Sequence, residues 1–228
     1  MERAAAGGPR AVWLVRHASR RDFDEPGWAA TAARPEDPPL SESGRREAWR
    51  IGRRLAAEPV AHVFASPFLR AVETGCAVAE ALELPLKVEA GLSEWLSADW
   101  FPAPPRLLPL ASLLGHCRRI DADYRPSGDA RHGESGIEAL RRAGRTALAL
   151  ARGFPGDLVL VGHGASVLGA AAGLLGVTPE AADRRAPLPE MPPGCISRLV
   201  ASGAGFVLEV ACDTSHLVAP PRAPEASG

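Results

Sequence analysis

No apolar run in this 228-residue chain approaches the roughly eighteen residues that a membrane-spanning helix requires. The opening MERAAAGGPR also lacks the hydrophobic stretch of a secretory leader. We therefore expect a soluble, cytoplasmic protein with no membrane partner. Strong charge of either sign is missing too, since the formal net charge is -1. That excludes the global basic field with which a protein grips nucleic-acid phosphates, so any anion must be met locally. Cysteine is scarce: Cys76, Cys117, Cys195 and Cys212 stand far apart without C-x-x-C spacing. This argues against a zinc site or a redox pair, and most of the four read as buried thiols. Lys87 is the only lysine, a bias that carries no functional reading.

What the chain does have is apolar content, 46% of its residues. That is enough for a sizeable core, and the length favours one domain with an insertion. Short strands alternate with helices. Residues 11–16 read as a buried strand, and 20–40, polar and Pro-rich, as loop. Ser41 or Ser43 caps a helix whose Ala48, Ile51 and Leu55 share a face, with Pro59 beyond its end. VAHVFAS (60–66) is a second strand, and a helix over 66–82 tolerates Pro67 in its first turn. LKVE (86–89) is a third strand. The following segment, about 95–132, is too rich in proline for regular sheet and reads as a lid insertion. A helix capped near Ser135, a strand from Asp157, a helix over 165–176 and a hairpin-like pair, CISRLVAS and FVLEVAC, complete the domain. Residues 1–10 read as a flexible N-terminal tail, 11–218 as the single domain and 219–228 as a disordered tail. The expectation is a three-layer α/β/α sandwich: a mostly parallel central sheet with helices on both faces.

Such sheets bind ligands at the carboxyl ends of their strands. Arg16 and His17 end the first strand, Ser66 to Arg70 follow the second, Glu94 follows the third, and His163 ends the fourth at VGHGAS. Two guanidiniums, two imidazoles and a carboxylate thus converge on one rim. Arginine forks match phosphate oxygens, so the guest expected there is a phosphoryl group. The Arg-His dipeptide alone signals nothing, because a second one, Arg131-His132, falls in a loop. Its place after an apolar strand is what gives it meaning. His62, His116, His132 and His216 read as structural or solvent-facing.

Taken in order, VRH, PLSESGRREA, ASPFLRAVETG, GLSEW, GESGIEALRR and LVGHGASV resemble the motifs of the histidine phosphatase superfamily, also called phosphoglycerate mutase-like. The similarity runs from about residue 11 to 211. Arg20, GLSEW and DTSHL further resemble the subgroup of the ubiquitin-associated and SH3 domain-containing phosphatase domains and ecdysteroid-phosphate phosphatase. RHAS departs from the Gly then Glu or Gln that many members carry after the histidine. The resemblance implies a metal-independent phosphomonoesterase that needs no cofactor. In it His17 is the nucleophile, Arg16, Arg70 and His163 bind the transferring phosphoryl group, Glu94 is the acid and base, and Arg20 is an additional substrate-binding cation. Like-charge repulsion from Arg16 and Arg70 should keep His17 neutral. Trp28, Trp95, Trp100 and Phe101 are expected to cluster at the rim and favour a flat or apolar alcohol, as in an aryl, steroid or phosphotyrosine-type phosphate ester. A homodimer is possible on this reading.

Other folds fail at specific places. An α/β-hydrolase needs a nucleophile at the centre of G-x-S-x-G, but Gly164 stands there in Gly162-His163-Gly164-Ala165-Ser166. A dinucleotide fold needs its glycines after the first strand, not the fourth. Two alternatives stay open within the resemblance: a phosphoglycerate mutase-type phosphotransferase and a non-catalytic phosphate-binding scaffold.

Overall fold

The computed structural model describes residues 10–184 and 187–218. Of the two expected tails, only Arg10 falls among them; 1–9 and 219–228 lie outside the described residues. Six strands form one sheet: β1 (Ala11–Arg16), β2 (Val60–Ala65), β3 (Leu86–Val88), β4 (Asp157–Gly162), β5 (Ile196–Ser202) and β6 (Gly205–Asp213). Their order is β3-β2-β4-β1-β5-β6. β1 to β4 pair in parallel, while β5 and β6 add an antiparallel edge.

The period-two alternation of strand side chains divides the core between two faces. Trp13, Val15, Val63, Ala65, Val159 and Val161 meet Ala48 and Ile51 of α3 (Glu42–Leu55) and Val72 and Ala79 of α4 (Leu69–Ala81). Val12, Leu14, Phe64, Leu158 and Leu160 turn the other way, onto Ala147 and Leu150 of α6 (Gly136–Gly153) and Val167 and Ala171 of α7 (Gly164–Leu175). The result is the expected α/β/α sandwich. On its second face, α6 and α7 pack backbone to backbone. A Cβ added to Gly173 would stand 2.5 Å from the Cα of Gly144.

Several helix starts obey local rules. Ser41 caps α3 by accepting the Gly44 N–H at 3.0 Å, and Ser135 with Glu138 forms a capping box at α6. The helix after β2 differs from expectation. It begins at Leu69, so Pro67 precedes it instead of occupying its first turn. The Leu69 N–H is met at 2.8 Å by Asp37, 32 residues earlier in the chain, a cap that no local pattern shows. Residues 20–40 are not all loop: they hold two single-turn helices, α1 (Arg21–Asp24) and α2 (Trp28–Thr31). The Pro-rich insertion contains α5 (Leu110–His116), whose Leu113 is buried in the core. A short α8 (Pro179–Arg184) follows α7.

The cysteines require a correction. Cys76 of α4 and Cys117 just beyond α5 form a disulfide, with their Cα atoms 5.8 Å apart. Sequence spacing hid the pair because the insertion folds back onto α4, closing a separation of 41 residues. Cys195 and Cys212 remain thiols.

Candidate active site

β1 and β4 lie side by side in register, Arg16 opposite Gly162, so the residues that follow them emerge together. The His17 N–H donates to the Gly162 carbonyl at 2.9 Å, and the His17 and His163 rings meet edge to face with centroids 5.2 Å apart. Both imidazoles are almost wholly buried, His17 at 1% exposure and His163 at 0%. His17 Nδ1 sits 2.8 Å from the Ala18 carbonyl. A carbonyl only accepts, so we assign the proton to Nδ1, which leaves the lone pair on Nε2.

Burial is the main cause that holds the His17 pKa well below the ordinary histidine value, and the charge of Arg70 is the next. Arg16 and Arg20 act in the same direction, against the Ala18 hydrogen bond. The expectation of cationic repulsion thus names a real contributor, but desolvation leads. His163 is also held well below the ordinary value, by burial first and by Arg70 next. Its Nε2 is 2.8 Å from Ser66 Oγ, and its Nδ1 faces Glu94 Oε2 at 3.4 Å.

Arg70 is the second residue of α4. Only 1% exposed, it approaches Glu94 Oε2 through Nη2 at 3.4 Å and stacks over the Phe68 ring at 4.7 Å. Its Nε and Nη1 have no hydrogen-bond acceptor among the described residues. Burial draws its pKa down to about 10, opposed by Glu94. Placement of Arg70 depends on α4, whose first turn is capped by Asp37. Thr74, one turn on, accepts the Ala18 N–H at 3.1 Å and donates to the Arg70 carbonyl at 2.8 Å. The helix and the loop after β1 are thereby locked together.

Arg16 and Arg20 stand further out. Arg16 is half-buried, with Nη1 on the Met191 carbonyl. Arg20 is forked onto Asp22 and lies over the Phe23 ring at 4.3 Å. The structure therefore links His17 to His163, and His163 and Arg70 to Glu94, with Arg70, Arg16 and Arg20 near enough for their charges to act on His17.

Glu94 is carried by the segment after a 3-10 turn, Ala90–Leu92, that follows β3. Its Oε1 accepts the Trp95 N–H at 3.0 Å. Two residues that sequence reasoning left without a role hold this segment: Arg142 of α6 donates to the carbonyls of Gly91, Ser93 and Glu94, and is paired with buried Glu134. Glu134 was visible within GESG, but Arg142 lies 48 residues from Glu94 on a helix rich in arginine. Nothing local marked it.

The aromatic cluster expected at the rim does not form as one unit. Phe101 is buried with Phe68 and Leu96 in a small core of the insertion. Trp95 stacks on Trp100 at 4.7 Å, and its indole N–H is taken by the Glu134 carbonyl at 2.8 Å. Trp100 is 60% exposed. Trp28 is half-buried on α2 and makes no ring contact with the others among the described residues. The remaining histidines keep to structural duties: His62, His132 and His216 each meet a backbone carbonyl. Among the described residues no cluster of His, Cys, Asp or Glu could hold a metal ion, and no helix is long and apolar enough to cross a membrane.

Residues 12–214 match the family model described as "Histidine phosphatase superfamily (branch 1)". Human ubiquitin-associated and SH3 domain-containing protein A is 31% identical over 155 residues, which make up 63% of this chain but 23% of that protein. The chain spans only 16–23% of the first curated relatives it matches. A probable phosphoglycerate mutase of Klebsiella pneumoniae is 30% identical over 219 residues, covering 92% of this chain and 95% of the mutase. The ecdysone phosphate phosphatase of Bombix mori, crystallised with tungstate, superposes with a TM-score of 0.72 over 96% of both chains at 22% identity. With this fold, this pairing of buried imidazoles and this family match, the chain belongs to branch 1 of the histidine phosphatase superfamily and carries that family's phosphatase-type domain.

Proposed function

We propose that the protein is a phosphomonoesterase that works through phospho-His17 without a metal ion. One observation carries the reading: a buried guanidinium with two unpartnered N–H-bearing atoms stands beside a buried neutral imidazole. Buried donors are nearly always hydrogen-bonded. A phosphoryl group would supply the missing acceptors on Arg70 and bring phosphorus to the lone pair of His17.

The steps balance as follows. His17 Nε2 attacks phosphorus, the ester P–O bond breaks, and its electron pair leaves with the alcohol oxygen, which takes the proton of the Glu94 carboxyl. Glu94, now a carboxylate, removes a proton from water as the water oxygen attacks phosphorus, and the P–N electron pair returns to His17. The products are an alcohol and inorganic phosphate. A covalent intermediate divides a very slow displacement into two easier ones. With Ser66 Oγ at hydrogen-bond distance from His163 Nε2, we assign the His163 proton to Nδ1, which with Arg70 and Arg16 faces the developing negative charge. Arg20 reaches the ester only by sharing its fork with Asp22.

The Trp95–Trp100 pair directly after Glu94, and Phe23 beneath Arg20, offer flat apolar faces to the alcohol. They favour an aryl, steroid or phosphotyrosine-type ester, in keeping with the ecdysone phosphate phosphatase whose fold this chain shares. Alkaline detergent quench during turnover of a phosphate-labelled ester should trap an alkali-stable, acid-labile phosphohistidine, absent from His17→Ala. Wild-type turnover in His17→Ala would overturn the mechanism, and a strong preference for sugar phosphates over aryl phosphates would overturn the substrate class. A second reading rests on the near full-length mutase relative. It requires phosphoryl return to a bound acceptor, so conversion of a phosphoglycerate primed by its bisphosphate separates the two.

A further inference from the structure

Arg142 divides its donors between Glu134 and one short segment. Nε and Nη2 fork onto the Glu134 carboxylate, Nη1 reaches the carbonyls of Gly91 at 2.9 Å and Ser93 at 3.1 Å, and Nη2 also bonds that of Glu94 at 3.0 Å. Glu134 continues the clamp: its Oε1 accepts the Leu96 N–H at 3.3 Å, and its backbone carbonyl accepts the Trp95 indole N–H at 2.8 Å. Gly91, Ser93, Glu94, Trp95 and Leu96 are thus all tied to two residues, Glu134 just before α6 and Arg142 in its second turn.

Both partners are buried, Arg142 at 6% and Glu134 at 6% exposure. A buried ion pair is an expensive way to hold a fold together, because apolar residues of similar volume usually do as well or better. What it supplies is geometry, through planar and directional bonds. The segment so fixed carries Glu94, whose Oε2 lies 3.4 Å from both Arg70 and His163.

We infer that Arg142, with Glu134, is a positioning residue for proton transfer: it holds the Glu94 carboxyl where it can meet the leaving oxygen. This rests on the proposed role of Glu94 as the acid. Protonation matters when the departing alkoxide is a poor leaving group and little when it is already stable, so the clamp should matter in the same graded way. A clamp with a purely structural role would affect all esters alike.

The test is kcat/KM, which reports the first displacement, for alkyl, phenyl and p-nitrophenyl phosphates with wild type, Arg142→Lys, Glu134→Gln and Glu94→Gln. Thermal unfolding of each variant monitors the fold. Arg142→Lys keeps the charge and loses the fork. It should lose roughly 100-fold on the alkyl ester and no more than about a few-fold on the p-nitrophenyl ester, the span that general acid catalysis covers. Glu134→Gln should show the same slope more weakly, and it provides the reading if Arg142→Lys does not fold. Selective loss in Glu94→Gln with uniform loss in the clamp variants overturns this inference alone. Uniform loss in Glu94→Gln overturns the acid reading, and the inference with it.

Discussion

At the scale of single residues, the site is governed by desolvation. Arg70, His17 and His163 are all within 1% of full burial, so each charge there acts in a medium that strengthens it. Arg70→Gln removes the donors that the proposed mechanism sets against the phosphoryl oxygens and should cost roughly 10²–10³-fold in kcat, measured as steady-state hydrolysis of p-nitrophenyl phosphate. A loss under tenfold would show that Arg70 does not bind the transition state. The same burial predicts a pH dependence of stability. His17 and His163 have folded pKa values well below the unfolded one, so the unfolded chain binds more protons as pH falls. Stability should be fully present above about pH 6.5 and decline below it, toward the folded values, at up to about 3 kcal/mol per pH unit for two groups. Urea unfolding between pH 7.5 and 5 measures this, and His17→Gln should flatten the slope.

These residue types, and their places after apolar strands, were legible in the sequence: His17, Arg70 and His163 follow β1, β2 and β4 as read. The clamp on Glu94 was not legible, because Arg142 is an ordinary cation on its own helix and gains its meaning only from carbonyls about fifty residues away.

At the scale of elements, two contacts fix where the site-bearing segments lie. The disulfide ties the end of α5, inside the insertion, to α4, the helix that presents Arg70. Closing a loop of 41 residues constrains the unfolded chain. Cys76→Ser should therefore lower stability by about 2–4 kcal/mol. The urea midpoint of the wild type should also fall on reduction, and that of the variant should not. On the opposite face α6 meets α7 through Gly144, Gly169 and Gly173, with a Cβ on Gly169 only 2.6 Å from the Leu140 carbonyl oxygen. Gly173→Ala drives the helices apart and should cost on the order of 1–3 kcal/mol. The displacement also shifts Arg142, so turnover should fall with stability. An unchanged unfolding midpoint would show that the helices have room to separate.

Legibility at this scale followed periodicity. The four long helices and the buried strands carry their pattern locally, and so were read within a few residues. α1, α2, α5 and α8 are four to seven residues long, too short to show a helical repeat. Pro67 misled because the side chain that meets the first helical N–H of α4 is Asp37, brought in from the loop between α2 and α3.

At the scale of the whole molecule, the charge balance assigns the work of anion binding to one place. With a net charge of -1, the chain has no general attraction for phosphate, so on the proposed function affinity comes from Arg70, Arg16 and the two histidines. Inorganic phosphate at a hundred times its dissociation constant should stabilise the fold by about 2.7 kcal/mol, seen as a rise in the unfolding temperature. The shift should vanish in Arg70→Gln. A shift that survives would place the anion elsewhere.

By itself the sequence determined the alternation of strands and helices, the two-faced core and the identity of the groups set at the strand ends, because each of these is written within a dozen neighbouring residues. The tertiary structure alone decided how those groups are used. It left Nε and Nη1 of Arg70 without acceptors among the described residues, set His17 Nδ1 against the Ala18 carbonyl, paired Cys76 with Cys117 and gave Glu94 its clamp. Each of these depends on atoms that the chain brings together only after closing long loops, and local chemistry has no record of such encounters.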